Sequence, residues 1–140
     1  MLFKNEEHQQ RFMHLVAEDG MHPKDVERQV LFYILSGNHD LYQKRHSIYD
    51  FSEHMISSEC LTASEVDFST SSKALIRLGF NLYNGYTDMG ISPLDIYYSL
   101  DEANYILAQE SMNIRFGMTN TYQQEQITEK HDEEEWDMEM

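Results

Sequence analysis

Between residues 26 and 37, Val26, Val30, Leu31, Ile34 and Leu35 recur at helical spacing, and Val30 to Leu35 is the longest uninterrupted apolar run in the chain. A helix carrying such a stripe must bury it against other elements. The run falls far short of the ~20 residues that span a bilayer, so the helix is expected to organise the core of a soluble domain. His22-Pro23 is expected to open it with proline in the first turn, and Gly37 to stop it.

Other helices are legible from their punctuation. Asn5 precedes Glu6 and Glu7 and then Phe12, Leu15 and Val16, with Gly20 as the stop; this is a capped helix with acids at its positive end. Asn38 caps a third, short helix through Leu41, Tyr42 and Arg45, running on to Ile48. From Tyr49 to Thr70 the pattern loosens into a long connection holding at most one short helix or strand. Ser71-Ser72 opens a stripe of Ala74, Leu75, Leu78, Leu82 and Tyr83, ended by Asn84-Gly85. Ser92-Pro93 opens Leu94, Ile96, Tyr97, Tyr98 and Leu100. Asp101 caps a last helix with Ala103, Ile106, Leu107, Glu110 and Ile114, closed by Gly117. The expected fold is all-α, a compact bundle of about five helices over residues 1–117 with a long central connection, followed by an acidic tail, 118–140. Short strands at Asp67-Phe68-Ser69 or Asp95 to Tyr98 are the competing reading.

The 140 residues suffice for one core without staples. Cys60 is the only cysteine and no apolar leader follows Met1, so a reducing, cytoplasmic setting is expected. The net charge is −15, with ten Lys and Arg against 25 Asp and Glu. That balance argues against direct binding of nucleic acid or an anionic membrane, which need clustered positive charge. The charge is also unevenly placed: residues 1–45 sum to −1 and residues 46–140 to −14. Segments 46–72 and 78–114 contain no Lys or Arg, so their acids have no basic neighbours for helical pairing. The tail gathers Asp132, Glu133, Glu134, Glu135, Trp136 and Asp137; such a run is ordinarily a solvated terminus that aids solubility, and its sharper reading is a docking segment, an aromatic anchor among carboxylates that suits a basic groove. Glu59, Glu65, Asp67, Asp88, Asp95 and Asp101 are candidates to extend that acidic face.

Motifs for catalysis are sparse. Gly37-Asn38-His39-Asp40 resembles a segment of calcineurin-like metallophosphoesterases, whose further metal-binding motifs this chain lacks. In a helical protein, His39 and Asp40 instead resemble the doublet of HD phosphohydrolases, which requires an upstream His (His14 or His22) and a downstream Asp (Asp88 or Asp95). Helix capping explains the same residues locally: Gly37 ends a helix, Asn38 caps the next, and Asp40 occupies its first turn. His8 beside Glu7, and His54 near Cys60, have neither zincin spacing nor an orienting third group. Neither the Walker nor the dinucleotide-binding glycine pattern occurs. Tyr83, Tyr86, Tyr97, Tyr98 and Tyr105 are read mainly as core edges, with a recognition surface as the alternative.

Met1 to His8, His22-Pro23-Lys24-Asp25 with Leu31 to Asn38, and Ala74 to Tyr86 together resemble a family of small uncharacterised proteins of Gram-positive bacteria and their mobile elements. The resemblance spans most of residues 1–117 and carries no catalytic signature. The functional expectation is a non-catalytic acidic protein-binding module without a cofactor. It would be an inhibitor of the anti-defence type, such as an anti-CRISPR, that blocks a basic surface of a nucleic-acid enzyme. The alternatives are a metal-dependent phosphohydrolase at His39 and Asp40 and a self-associating helical regulatory domain.

Overall fold

The structure, a computed structural model, describes residues 1–21, 24–63 and 65–118. Its centre is the helix built on the apolar run. Helix α2 (Val26–Gly37) is buried continuously from Val30 to Gly37, on every face rather than along one stripe. It is enclosed by α1 (Glu6–Asp19), α5 (Thr70–Asn84) and α7 (Glu102–Phe116). An all-round apolar helix requires such a sleeve. Phe12 and Leu15 of α1, Leu75, Ile76 and Phe80 of α5, and Leu107 and Ala108 of α7 provide it.

The caps at Asn5, Asn38, Ser92 and Asp101 all form as expected, each side chain accepting a first-turn backbone N–H. Gly20, Gly85 and Gly117 end α1, α5 and α7 in the left-handed conformation at φ 68°, 82° and 66°. Three boundaries differ. Helix α2 begins at Val26 because Asp25 is its cap, accepting from the Arg28 N–H at 3.1 Å. Gly37 is not a stop but the last helical residue. A Cβ there would lie 2.4 Å from Leu107 Cδ2 and 3.0 Å from His8 Nε2, so glycine lets α1, α2 and α7 meet. The stop is Asn38, whose backbone is extended. Helix α5 begins two residues early, because Ser69 caps it through the Ser72 N–H at 3.1 Å.

The third helix divides at Lys44, whose backbone leaves helical geometry (φ −101°, ψ 19°), into α3 (His39–Gln43) and α4 (Arg45–Ile48). The central connection holds more than one short element. A two-stranded antiparallel ladder, β1 (Tyr49–Asp50) on β2 (Met55–Ile56), pairs Tyr49 with Ile56, and a single 3-10 turn follows at Ser58–Leu61. The segment 95–98 lies in α6 (Pro93–Tyr98), and residues 67–69 join no ladder. Among the described residues there are therefore seven α-helices and one minimal sheet, a mostly helical protein. No described helix is long and apolar enough to cross a membrane.

Candidate binding face

The short helix α6 and the outer side of α7 form the most distinctive surface. No residue of α6 is buried. Ile96 and Tyr97 lean on the core, which leaves Leu94 and Tyr98, one turn apart, 66% and 83% exposed. On α7 the buried positions are Asn104, Leu107, Ala108 and Ser111, which rotates Tyr105 and Ile106 outward. The Tyr97 and Tyr105 rings meet edge to face at 5.8 Å and join the two helices. Of the tyrosines expected at core edges, Tyr83, Tyr86 and Tyr97 are half-buried, whereas Tyr98 and Tyr105 stand at the surface.

The acids assigned from sequence fall into distinct groups. Glu59, Glu65 and Asp67 are exposed along the central connection. Asp95 closes a capping box, accepting from the Ser92 N–H and hydroxyl at 2.9 Å each, and those bonds hold its carboxyl below the ordinary range. Asp101 caps α7 through the Asn104 N–H at 2.8 Å. Asp88 accepts from the Tyr86 hydroxyl and from Arg77 Nε at 2.6 Å; the tyrosine first, then the guanidinium, depresses its acidity range. Asp132, Glu133, Glu134, Glu135, Trp136 and Asp137 lie outside the described residues.

Beneath α6 is a cavity of about 150 Å³ between α5 and the segment 86–97, lined largely by apolar atoms of Leu78, Tyr86, Ile91, Pro93, Ile96 and Tyr97. Thr87 also lines it, and the other polar groups around it bond to one another: Arg77 and Tyr86 to Asp88, and the Asn81 amide to the Tyr86 carbonyl at 3.0 Å.

His39 and Asp40 have other partners. His39 Nδ1 lies 3.1 Å from the Arg11 guanidinium, and Asp40 pairs with Lys44 at 2.8 Å. His14 contacts the Tyr42 hydroxyl, and His22 lies outside the described residues. Asp88 and Asp95 are engaged as above. Among the described residues no three His, Cys, Asp or Glu side chains converge to hold a metal. Cys60 is buried and its thiol is pushed up to about 11 by desolvation, so it is not a ready nucleophile. His54 turns instead to Asp19.

That contact belongs to a network absent from the sequence reading. The Asp19 carboxylate is fully buried and meets Arg28 Nη1 at 2.9 Å, the Tyr49 hydroxyl at 2.9 Å and His54 Nδ1 at 2.8 Å. His54 is held at φ +56°, the one positive-φ residue other than glycine among those described, and its carbonyl accepts from the Tyr83 hydroxyl. Next to it, Glu18 binds Arg45 and His46; burial pushes its carboxyl up, but these two partners outweigh that and hold it low. The network locks the hairpin and the start of α2 onto the end of α1. The only sequence signal for it was the acidic pair Glu18-Asp19 at the negative end of a helix, where acids are disfavoured.

His8 is likewise structural. Its Nδ1 accepts from the Lys4 N–H and its Nε2–H donates to the Tyr33 carbonyl, both at 3.0 Å, so the neutral ring is fully used.

The molecule is thus a small, mostly helical domain whose ionisable groups chiefly pair with one another and whose α6–α7 surface is apolar and acidic. It belongs to a family of unknown function, DUF6075, whose model matches residues 1–128. No curated protein and no solved structure matches the chain.

Proposed function

We propose that the protein is a non-catalytic acidic binding module that occupies a basic, nucleic-acid-binding surface of a protein partner. Its role on this reading is that of an inhibitor carried by a mobile element against host defence. One observation carries the reading: Leu94, Tyr98, Tyr105 and Ile106 are exposed within a stretch, 78–114, that contains no Lys or Arg. Apolar anchors in a stretch whose only charged side chains are acidic favour a partner whose apolar contacts are ringed by Arg and Lys. Glu59, Glu65 and Asp67 extend the acidic surface, and Asp132 to Asp137 with Trp136 add a second acidic element.

The test is retention on the immobilised full-length chain at low salt, compared with the chain lacking residues 118–140 and with the double variant Leu94→Lys, Tyr98→Lys. The expected result is a basic nucleic-acid enzyme that is released between low and moderate salt and lost with the double variant. Binding that is indifferent to salt and to both changes overturns the reading. Sedimentation of the isolated chain separates a second copy from a foreign partner, because self-association makes the apparent mass concentration-dependent.

A further inference from the structure

We propose that the cavity beneath α6 is a receptor for one apolar side chain, an aromatic ring carried by the basic partner; this rests on the binding function proposed above. Size sets the first limit. At about 150 Å³ the space matches a cavity known to hold one benzene ring and is too small for most cofactors. Chemistry sets the second limit. The wall is largely apolar; Arg77, Asp88, Tyr86 and Asn81 already bond among themselves, and Thr87 is the remaining polar residue of the wall. A polar occupant would surrender its hydration to a wall that is mostly apolar, whereas a ring surrenders none.

Charge sets the third limit. The cavity wall is formed by the second half of α5, the loop 86–92 and α6, where Arg77 is the one Lys or Arg; Lys73 lies a turn earlier on α5 and does not line the cavity. Arg77 itself is neutralised by Asp88 at 2.6 Å. Asp95, between the lining residues Pro93 and Ile96 on α6, adds negative charge, so residues flanking the inserted ring are best basic. Leu94 and Tyr98 are exposed on the same helix and supply further apolar contact area. The arrangement is a buried anchor position within an exposed apolar and acidic surround, as at protein interfaces where one inserted side chain dominates.

The probes are the tripeptide acetyl-Arg-Phe-Arg-amide and its counterpart acetyl-Arg-Ala-Arg-amide, titrated into the full-length chain with methyl-labelled Ile and Leu and followed by NMR. The expected result is a saturable shift of the Leu78, Ile91 and Ile96 methyl signals with the Phe peptide, at least about tenfold weaker with the Ala peptide. The substitution Ile96→Trp fills the cavity and should abolish the shift while the Leu31 and Ile34 signals stay unchanged. Ile91→Phe, in the loop, gives the same test if Ile96→Trp does not fold. Equal responses to both peptides, or no response at Ile96, overturn the proposal. So does a shift produced by free toluene but not by the Phe peptide, which would make the cavity a site for small molecules alone. If the filled variant still retains a salt-sensitive basic partner, this inference fails and the binding function stands. If the Phe peptide enters but the chain retains no basic partner, the binding function fails and the cavity remains a site for an aromatic side chain.

Discussion

Asp19 lies at the negative end of α1, where a carboxylate is unfavourable, and is also fully buried. Arg28, Tyr49 and His54 compensate both penalties, so the residue is tolerable only as part of the set. Asp19→Asn keeps the shape and removes the charge. It is expected to cost about 2–3 kcal/mol in urea unfolding, below the usual loss for a broken buried pair because the Arg28 side chain remains 24% exposed. His54 tests the same network from the other side. Glycine would relieve its left-handed backbone by about 1 kcal/mol but would lose a hydrogen bond to a carboxylate worth about 1.5–3 kcal/mol. A net loss of about 1 kcal/mol for His54→Gly is expected, and a gain would show that the Asp19 contact contributes little.

His8 responds to pH. Burial, which outweighs the opposing hydrogen bond to Tyr33 and acts together with nearby Lys4, depresses its pKa below 6.5. Unfolded chains then bind the proton more readily than folded ones. The contribution of neutral His8 is complete above pH 6.5 and declines as pH falls below that value. Urea midpoints at pH 7.5 and 5.5 should show the drop, and His8→Gln should flatten it. Gly37→Ala places a methyl against Leu107 and should cost about 1–3 kcal/mol. None of these pairings could be read in advance, because each joins residues far apart in the chain.

At the scale of elements, local chemistry was the legible part. Asn5, Asn38, Ser92 and Asp101 are short polar side chains before periodic apolar residues, and each does its capping within three residues of itself. Asp101→Ala should therefore cost about 1 kcal/mol in thermal or urea unfolding, through α7 alone. The phase of α7 was not legible. Its inner face includes Asn104, bonded to Asn38 and Ser71, and Ser111, bonded to the Ala108 carbonyl. Polar residues satisfied inside the fold look like surface in a reading of hydrophobicity, whereas the apolar Ala103 and Ile106 of the same helix are exposed. The same cause hid the candidate site. Tyr98 reads as a core edge and stands at the surface, while Asp88, Asp95 and Asp101, which read as surface charge, serve first as pairing and capping groups.

For the whole molecule, the charge asymmetry is a matter of which surfaces are neutralised. In residues 1–45 four of the six bases meet acids within the fold: Arg11 with Glu7, Arg28 with Asp19, Lys44 with Asp40, and Arg45 with Glu18. The later part has too few bases to do the same. Association with a basic partner should then slow as salt is raised, with the association rate changing more than dissociation, which stopped-flow mixing can resolve. The absence of Lys and Arg from 78–114 also decides how any such complex can be observed. Complete trypsin digestion leaves Leu78 to Arg115 as a single peptide, carrying the cavity wall, α6 and nearly all of α7. Amine-directed cross-linkers have no lysine to attack there, so a complex formed on this face would leave no lysine link on that peptide. Carbodiimide activation of its carboxylates, joined to a partner's lysines, would instead place every link from this face on that one fragment.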